Sequence, residues 1–165
     1  MMSVVSTVTD PKELRLTVVA QFAASPERVW TVWEDPRQLE RWWGPPTYPA
    51  TFTRHDFEVG GESRYYMTGP EGDAPHGWWR MFVIDEPHRL EFANGLAGDD
   101  GEPLPGVDPM AARVTIESSD GGTRMTTESS FVDVAQMEKM LAMGMAEGMT
   151  QAVDQIDELL SSERA

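Results

Sequence analysis

The sequence predicts an α+β domain, with an antiparallel sheet of about seven strands curved around one long C-terminal helix and two short helices after the first strand. Three observations predict it. Runs of alternating polarity, separated by glycine- and proline-rich turns, fill most of the chain. Two proline-led capping signals interrupt them early, and an apolar stripe at helical spacing closes the chain.

In chain order, residues 1–11 are assigned to an N-terminal tail and residues 12–162 to a single domain. Leu14, Leu16, Val18, Ala20 and Phe22 share one parity and Arg15, Thr17 and Gln21 the other, which predicts a half-buried strand. Ser25-Pro26-Glu27 supplies a helix cap, a first-turn proline and an early acid. Asp35-Pro36-Arg37-Gln38 repeats the signal, and the second helix is expected to reach Trp42-Trp43 before Gly44-Pro45-Pro46 stops it. From Thr47 to Ala93, turn signals at Gly60-Gly61, Thr68 to Gly72 and Asp85-Glu86-Pro87 separate aromatic-rich meander strands. Residues 94–109, rich in glycine, proline and aspartate, read as a long surface loop. A hairpin follows, turning at Asp120-Gly121-Gly122. Asp133 and Gln136 then form a capping box, with Val132 and Met137 at the staple positions, and a helix is expected to run to about Leu160. Met137, Leu141, Met145, Gly148, Ala152, Ile156 and Leu159 lie along one side of it, with Lys139, Asp154 and Asp157 on the other.

Composition narrows the function classes. A net charge of -15 argues against a nucleic-acid ligand and against anionic membranes, because both need clustered cations. Cysteine is absent, which removes disulfides, thiolate metal sites and cysteine nucleophiles. Met1 to Asp10 has neither a basic start nor an apolar run, no stretch is apolar enough to cross a bilayer, and a cytoplasmic location is expected. Six tryptophans and eleven methionines are side chains that fill irregular cores and also line adaptable pockets.

Several local motifs, in order, resemble one superfamily. They are Ala24-Ser25-Pro26-Glu27-Arg28-Val29-Trp30, Leu39-Glu40-Arg41-Trp42-Trp43-Gly44-Pro45 and Asp56-Phe57-Glu58-Val59-Gly60-Gly61, then Met67 to Gly72, Gly77-Trp78-Trp79-Arg80, Asp85 to Phe92, and Ala142 to Gly148. With the element order they resemble the START-like (SRPBCC) helix-grip superfamily, in particular its branch similar to the C-terminal domain of the activator of Hsp90 ATPase. The resemblance implies a curved sheet gripping the last helix. It also implies a function drawn from carriers of hydrophobic ligands, cyclases or chaperone-associated stress-response modules.

The residues leave these functions open. A cavity for a small hydrophobic molecule would be lined by Phe52, Tyr65, Met67, Trp79, Met81 and Phe92 from the sheet, facing Met137, Leu141, Gly144, Met145 and Gly148 from the helix. Trp33, Trp42 and Trp43 would guard one end. Gly144 and Gly148 either let a strand approach the helix or leave volume for a ligand. A cyclase- or dehydratase-like enzyme would draw an acid or base from His55, Glu62, Arg64, Tyr65 or Tyr66, and none of these is singled out as catalytic. Alternation favours Ser63, Tyr65 and Met67 facing inward. His55, His76 and His88 fall in no metal-ligand spacing, and neither metal nor cofactor is expected. An interaction module with a chaperone partner is the remaining alternative.

Overall fold

The computed structural model describes residues 3–162. Eight strands form one antiparallel sheet, one more than the sequence predicts. The extra strand is β1 (Val4–Asp10), in the segment assigned above to a tail; its first residue pairs with Ala20 and its last with Arg15. β-branched valines and threonines favour the extended chain, but on this sheet edge almost every side chain is exposed. No face is buried, so no alternation marks the strand. Asp154 clamps its start, accepting the backbone N–H of Ser3 at 3.1 Å and of Val4 at 2.9 Å.

β2 (Arg15–Phe22) follows its alternation, burying Leu16, Val18, Ala20 and Phe22. Helix α1 (Pro26–Glu34) starts where Ser25 Oγ accepts the Arg28 N–H at 3.2 Å. α2 (Pro36–Leu39) is shorter than expected: past Leu39 the chain continues as turns, with the Trp43 N–H still donating to the Leu39 carbonyl at 2.9 Å. The chain then builds β3 (Ala50–His55), β4 (Glu62–Met67), β5 (His76–Asp85), β6 (Arg89–Ala97), β7 (Met110–Ser119) and β8 (Gly122–Ser130). The sheet order is β1-β2-β8-β7-β6-β5-β4-β3.

β6 runs to Ala97, so the expected loop loses its first four residues, 94–97, to the sheet. Asn94-Gly95 reads locally as a turn, yet Gly95 pairs with Trp78, and a Cβ there would meet the Trp78 indole nitrogen at 2.8 Å. The glycine serves a close approach within a strand.

The single long helix of the sequence reading is two helices, α3 (Val134–Ala142) and α4 (Met145–Ser162). Gly144 breaks it with a φ of +89°, a left-handed conformation that glycine adopts without steric cost. The Asp133 cap holds, accepting the Gln136 N–H at 2.8 Å, while Gln136 Oε1 accepts from Val132 N–H at 2.8 Å. The staple does not form: Val132 is exposed, and Met137 packs instead with Leu16, Met110 and Phe131. The main core lies between the inner face of the sheet, α1 and α4. No helix among the described residues is long and apolar enough to cross a membrane.

Candidate functional site

α1 and the turn after α2 seal one end of the sheet with aromatic rings. Trp33 meets Trp42 edge-on at 4.6 Å, and Trp79 stacks on Phe92 at 4.3 Å. The Trp42 indole N–H donates to the Val32 carbonyl at 2.9 Å, and that of Trp33 points at Met125 Sδ at 3.4 Å.

Toward the break between α3 and α4 the packing opens. A cavity of about 190 Å³ lies between the inner face of β4, β6, β7 and β8 and the helices. Trp33, Tyr65 and Phe92 form part of its floor, with Thr127 and Ser129 from β8. Beside it, at the helix break, a groove of about 460 Å³ is bordered by Gly44, Tyr48, Asp73, Gly144 and Gly148. Trp43, Met67, Met140, Met145 and Met149 border both spaces and form the partition between them. Thioether side chains are flexible, so this partition is the deformable part of the wall. Gly148 faces open space, where an added Cβ would meet no atom within 4 Å.

Of the residues expected to line a cavity, Trp33, Trp43, Tyr65, Met67, Phe92 and Met145 border the inner one, and Gly144 and Gly148 border the groove. Trp42, Phe52, Trp79 and Met81 are core residues that border neither, and Met137 and Leu141 pack in the satellite core beneath α3. The sequence reading missed Met140, Met149, Thr127, Ser129, Tyr48 and Asp73. A strict parity count would have found Thr127 and Ser129, since Thr123, Met125, Thr127 and Ser129 are all buried along β8. Met140 lies three residues after Met137 on α3 and fits the same helical spacing. Tyr48 and Asp73 come from separate loops, joined by a 2.7 Å hydrogen bond from the phenol to the carboxylate.

The inward parity of β4 is as expected. Ser63 is fully buried, Tyr65 and Met67 face the cavity, and Glu62 and Arg64 lie on the other face. There Glu62 pairs with Arg54, Arg64 and Arg80 at 2.9–3.2 Å, and the pairs hold its carboxyl below the usual range. Arg64 also donates to the Gly101 carbonyl and so pins the loop after β6.

His55 forms an arrangement that resembles a catalytic pair without serving a cavity. Its Nε2 lies 2.9 Å from the Trp33 carbonyl and its Nδ1 2.7 Å from Ser63 Oγ. A carbonyl only accepts, so Nε2 carries the proton and Ser63 donates to Nδ1. Neither side chain borders the cavity or the groove. Burial lowers the imidazole pKa below its ordinary value, against the pull of the Trp33 carbonyl, Asp56 and Asp35. The ring nitrogens of His76 and His88 meet backbone carbonyls, of Ala74 at 2.8 Å and Ile116 at 3.3 Å.

Tyr65 is the titratable group on the inner cavity wall. Burial raises its phenol pKa, partly offset by the indole N–H groups of Trp43 and Trp79, which approach its oxygen without regular hydrogen-bond geometry. A phenol so shifted stays protonated at neutral pH. It can donate a hydrogen bond but supplies no base.

A curved antiparallel sheet closed by a C-terminal helical pair, with an apolar cavity between them, defines the helix-grip class of α+β domain. The chain belongs to the family described as Activator of Hsp90 ATPase homolog 1-like protein, whose model matches residues 23–161. Among solved structures, a protein from Arthrobacter aurescens is 50% identical, with a TM-score of 0.92 over 97% of this chain and 93% of its own. A protein from Mycobacterium smegmatis is 40% identical, with a TM-score of 0.88 over 95% and 96%. An AHSA1 protein from Silicibacter pomeroyi is 20% identical, with a TM-score of 0.73 over 90% and 99%, and shares the fold. No curated protein matches the chain.

Proposed function

We propose that this domain binds a small apolar molecule in the space between the sheet and the helical pair. The observation that carries the reading is the junction of a 190 Å³ cavity with a 460 Å³ groove across a wall of methionines. A core packed only for stability would fill such volume, because voids forfeit dispersion contacts. Gly148 supports the same reading: glycine there sacrifices about 1 kcal/mol of helix propensity relative to alanine, and nothing approaches it to require a small residue.

An enzyme of the cyclase or dehydratase type draws less support. Its acid or base would have to come from Tyr65, which stays neutral, or from Asp73 at the groove rim. The family's name refers to a chaperone activator, and a chaperone partner for this chain is a separate proposal, tested by recovery of an Hsp90-type protein on the immobilised domain.

The binding reading is tested by titrating the protein with N-phenyl-1-naphthylamine, a neutral apolar fluorophore, alongside Gly148→Leu. Saturable binding by the wild type and at least tenfold weaker binding by the variant are expected, because the new side chain projects into the groove. Equal binding by both, or none by the wild type, would overturn it. Native mass spectrometry of protein from its own host would give the mass of any retained molecule.

A further inference from the structure

We infer that the inner cavity selects an uncharged ligand carrying a hydrogen-bond acceptor oxygen, such as a ketone, met by the hydroxyl group of Thr127. This rests on the binding reading above and adds the chemical class of what is bound.

Thr127 lies on β8 with its side chain on the inner face, 3% exposed, bordering the cavity, and its Oγ1 has no hydrogen-bond partner. A buried hydroxyl without a partner is costly, and few persist in folded proteins without a role. Its neighbours offer no remedy, since Thr127 pairs through the backbone with Val18 and Val114, whose side chains are apolar.

Tyr65 borders the same cavity from β4, across the inner face of the sheet. Its ring packs over Gly77, where any Cβ would collide with the phenol at 2.3 Å. The polar groups near its oxygen are the indoles of Trp43 and Trp79, and an indole nitrogen only donates. The Tyr65 oxygen is thus already approached by donors, beside Gly77 and Trp79, neither of which borders the cavity. Of the polar side chains bordering the cavity, Thr127 is the one with a buried hydroxyl left unpaired, and its proton can go to an acceptor on the ligand.

Charge is decided by what the wall lacks. Among the residues bordering the inner cavity there is no Lys, Arg, His, Asp or Glu. A carboxylate or phosphate placed there would lose its hydration with no countercharge in return, whereas a carbonyl needs only the unpaired Thr127 hydroxyl.

The test compares three probes of nearly equal shape by calorimetry on the full chain: 2-acetylnaphthalene, 2-isopropenylnaphthalene and 2-naphthoate. The ketone is expected to bind roughly tenfold more tightly than the alkene, the effect of a satisfied buried hydrogen bond, and the carboxylate most weakly. Thr127→Val should bring the ketone toward the alkene. Thr127→Val should also keep or raise the Tm, because it removes an unpaired buried hydroxyl; a lowered Tm would mean that the hydroxyl serves the core and would overturn its assignment as a ligand donor. Equal binding of ketone and alkene by the wild type would overturn the acceptor inference while leaving the cavity reading intact. Tightest binding by the carboxylate would overturn the selection for an uncharged ligand. Failure of all three to bind would remove both readings together.

Discussion

The two ends of the space inside the sheet are built from different apolar side chains, and the difference separates scaffold from site. At the α1–α2 end, Trp33, Trp42 and Trp79 are wholly buried in edge-on and tilted contacts, and of the three only Trp33 reaches the inner cavity. At the α3–α4 end the wall is methionine, the helix is interrupted, and volume remains. An indole is large, rigid and held by two dihedral angles, so a cluster of them locks one geometry. A methionine adapts to what is beside it. Trp43 stands at the boundary, packed edge-on against Trp79 at 4.8 Å on one side and bordering both spaces on the other.

The contrast is broken most severely at the sealed end. Trp42→Ala is expected to cost about 3–5 kcal/mol in chemical denaturation, while Met149→Ala, which borders existing empty space, should cost about 2 kcal/mol or less. Similar losses at both ends would mean that the methionine wall is packed as tightly as the indoles.

Acid should attack the sealed end next. His55 has a folded-state pKa below its unfolded value near 6.5, so both states are neutral above that pH and stability is unaffected there. As pH falls below 6.5 the unfolded chain takes up a proton that folded His55 refuses. Stability then drops, by at most about 1.4 kcal/mol per pH unit from this group, until the folded pKa is passed. His55→Gln should flatten that part of the curve between pH 7 and 5, and an unchanged curve would assign the acid sensitivity elsewhere.

The smallest effects sharpen the open end. Gly148→Ala should stabilise the protein by about 0.5–1 kcal/mol, because the helix gains propensity and the methyl group meets nothing. Gly144→Ala should destabilise it by about 1 kcal/mol, since alanine resists a φ of +89°. Opposite signs from two glycines four residues apart distinguish a broken helix from a continuous one.

Much of the fold was legible because local rules and tertiary needs agree. The alternation of β2, the caps at Ser25, Asp35 and Asp133, and the inward parity of Ser63, Tyr65 and Met67 all appear in place. β1 stayed hidden because an exposed edge strand carries no parity, and the end of β6 because Asn94-Gly95 mimics a turn. The site was legible by half. Trp33, Trp43, Tyr65, Met67, Phe92 and Met145 border the cavity, while Trp42, Phe52, Trp79 and Met81, equally apolar and on equally inward positions, do not.

By itself, then, the sequence determined most of the segments that extend or coil and which face they turn inward, since propensity, capping and polarity act over a few residues. It also determined that the C-terminal helical region is rich in methionine and carries two glycines. Only the tertiary structure decided that Gly144 ends one helix and that Gly148 faces empty space, because a glycine's φ and the room around it depend on what arrives from elsewhere in the chain. For the same reason only it could set Thr127 and Tyr65, 62 residues apart in sequence, around one cavity.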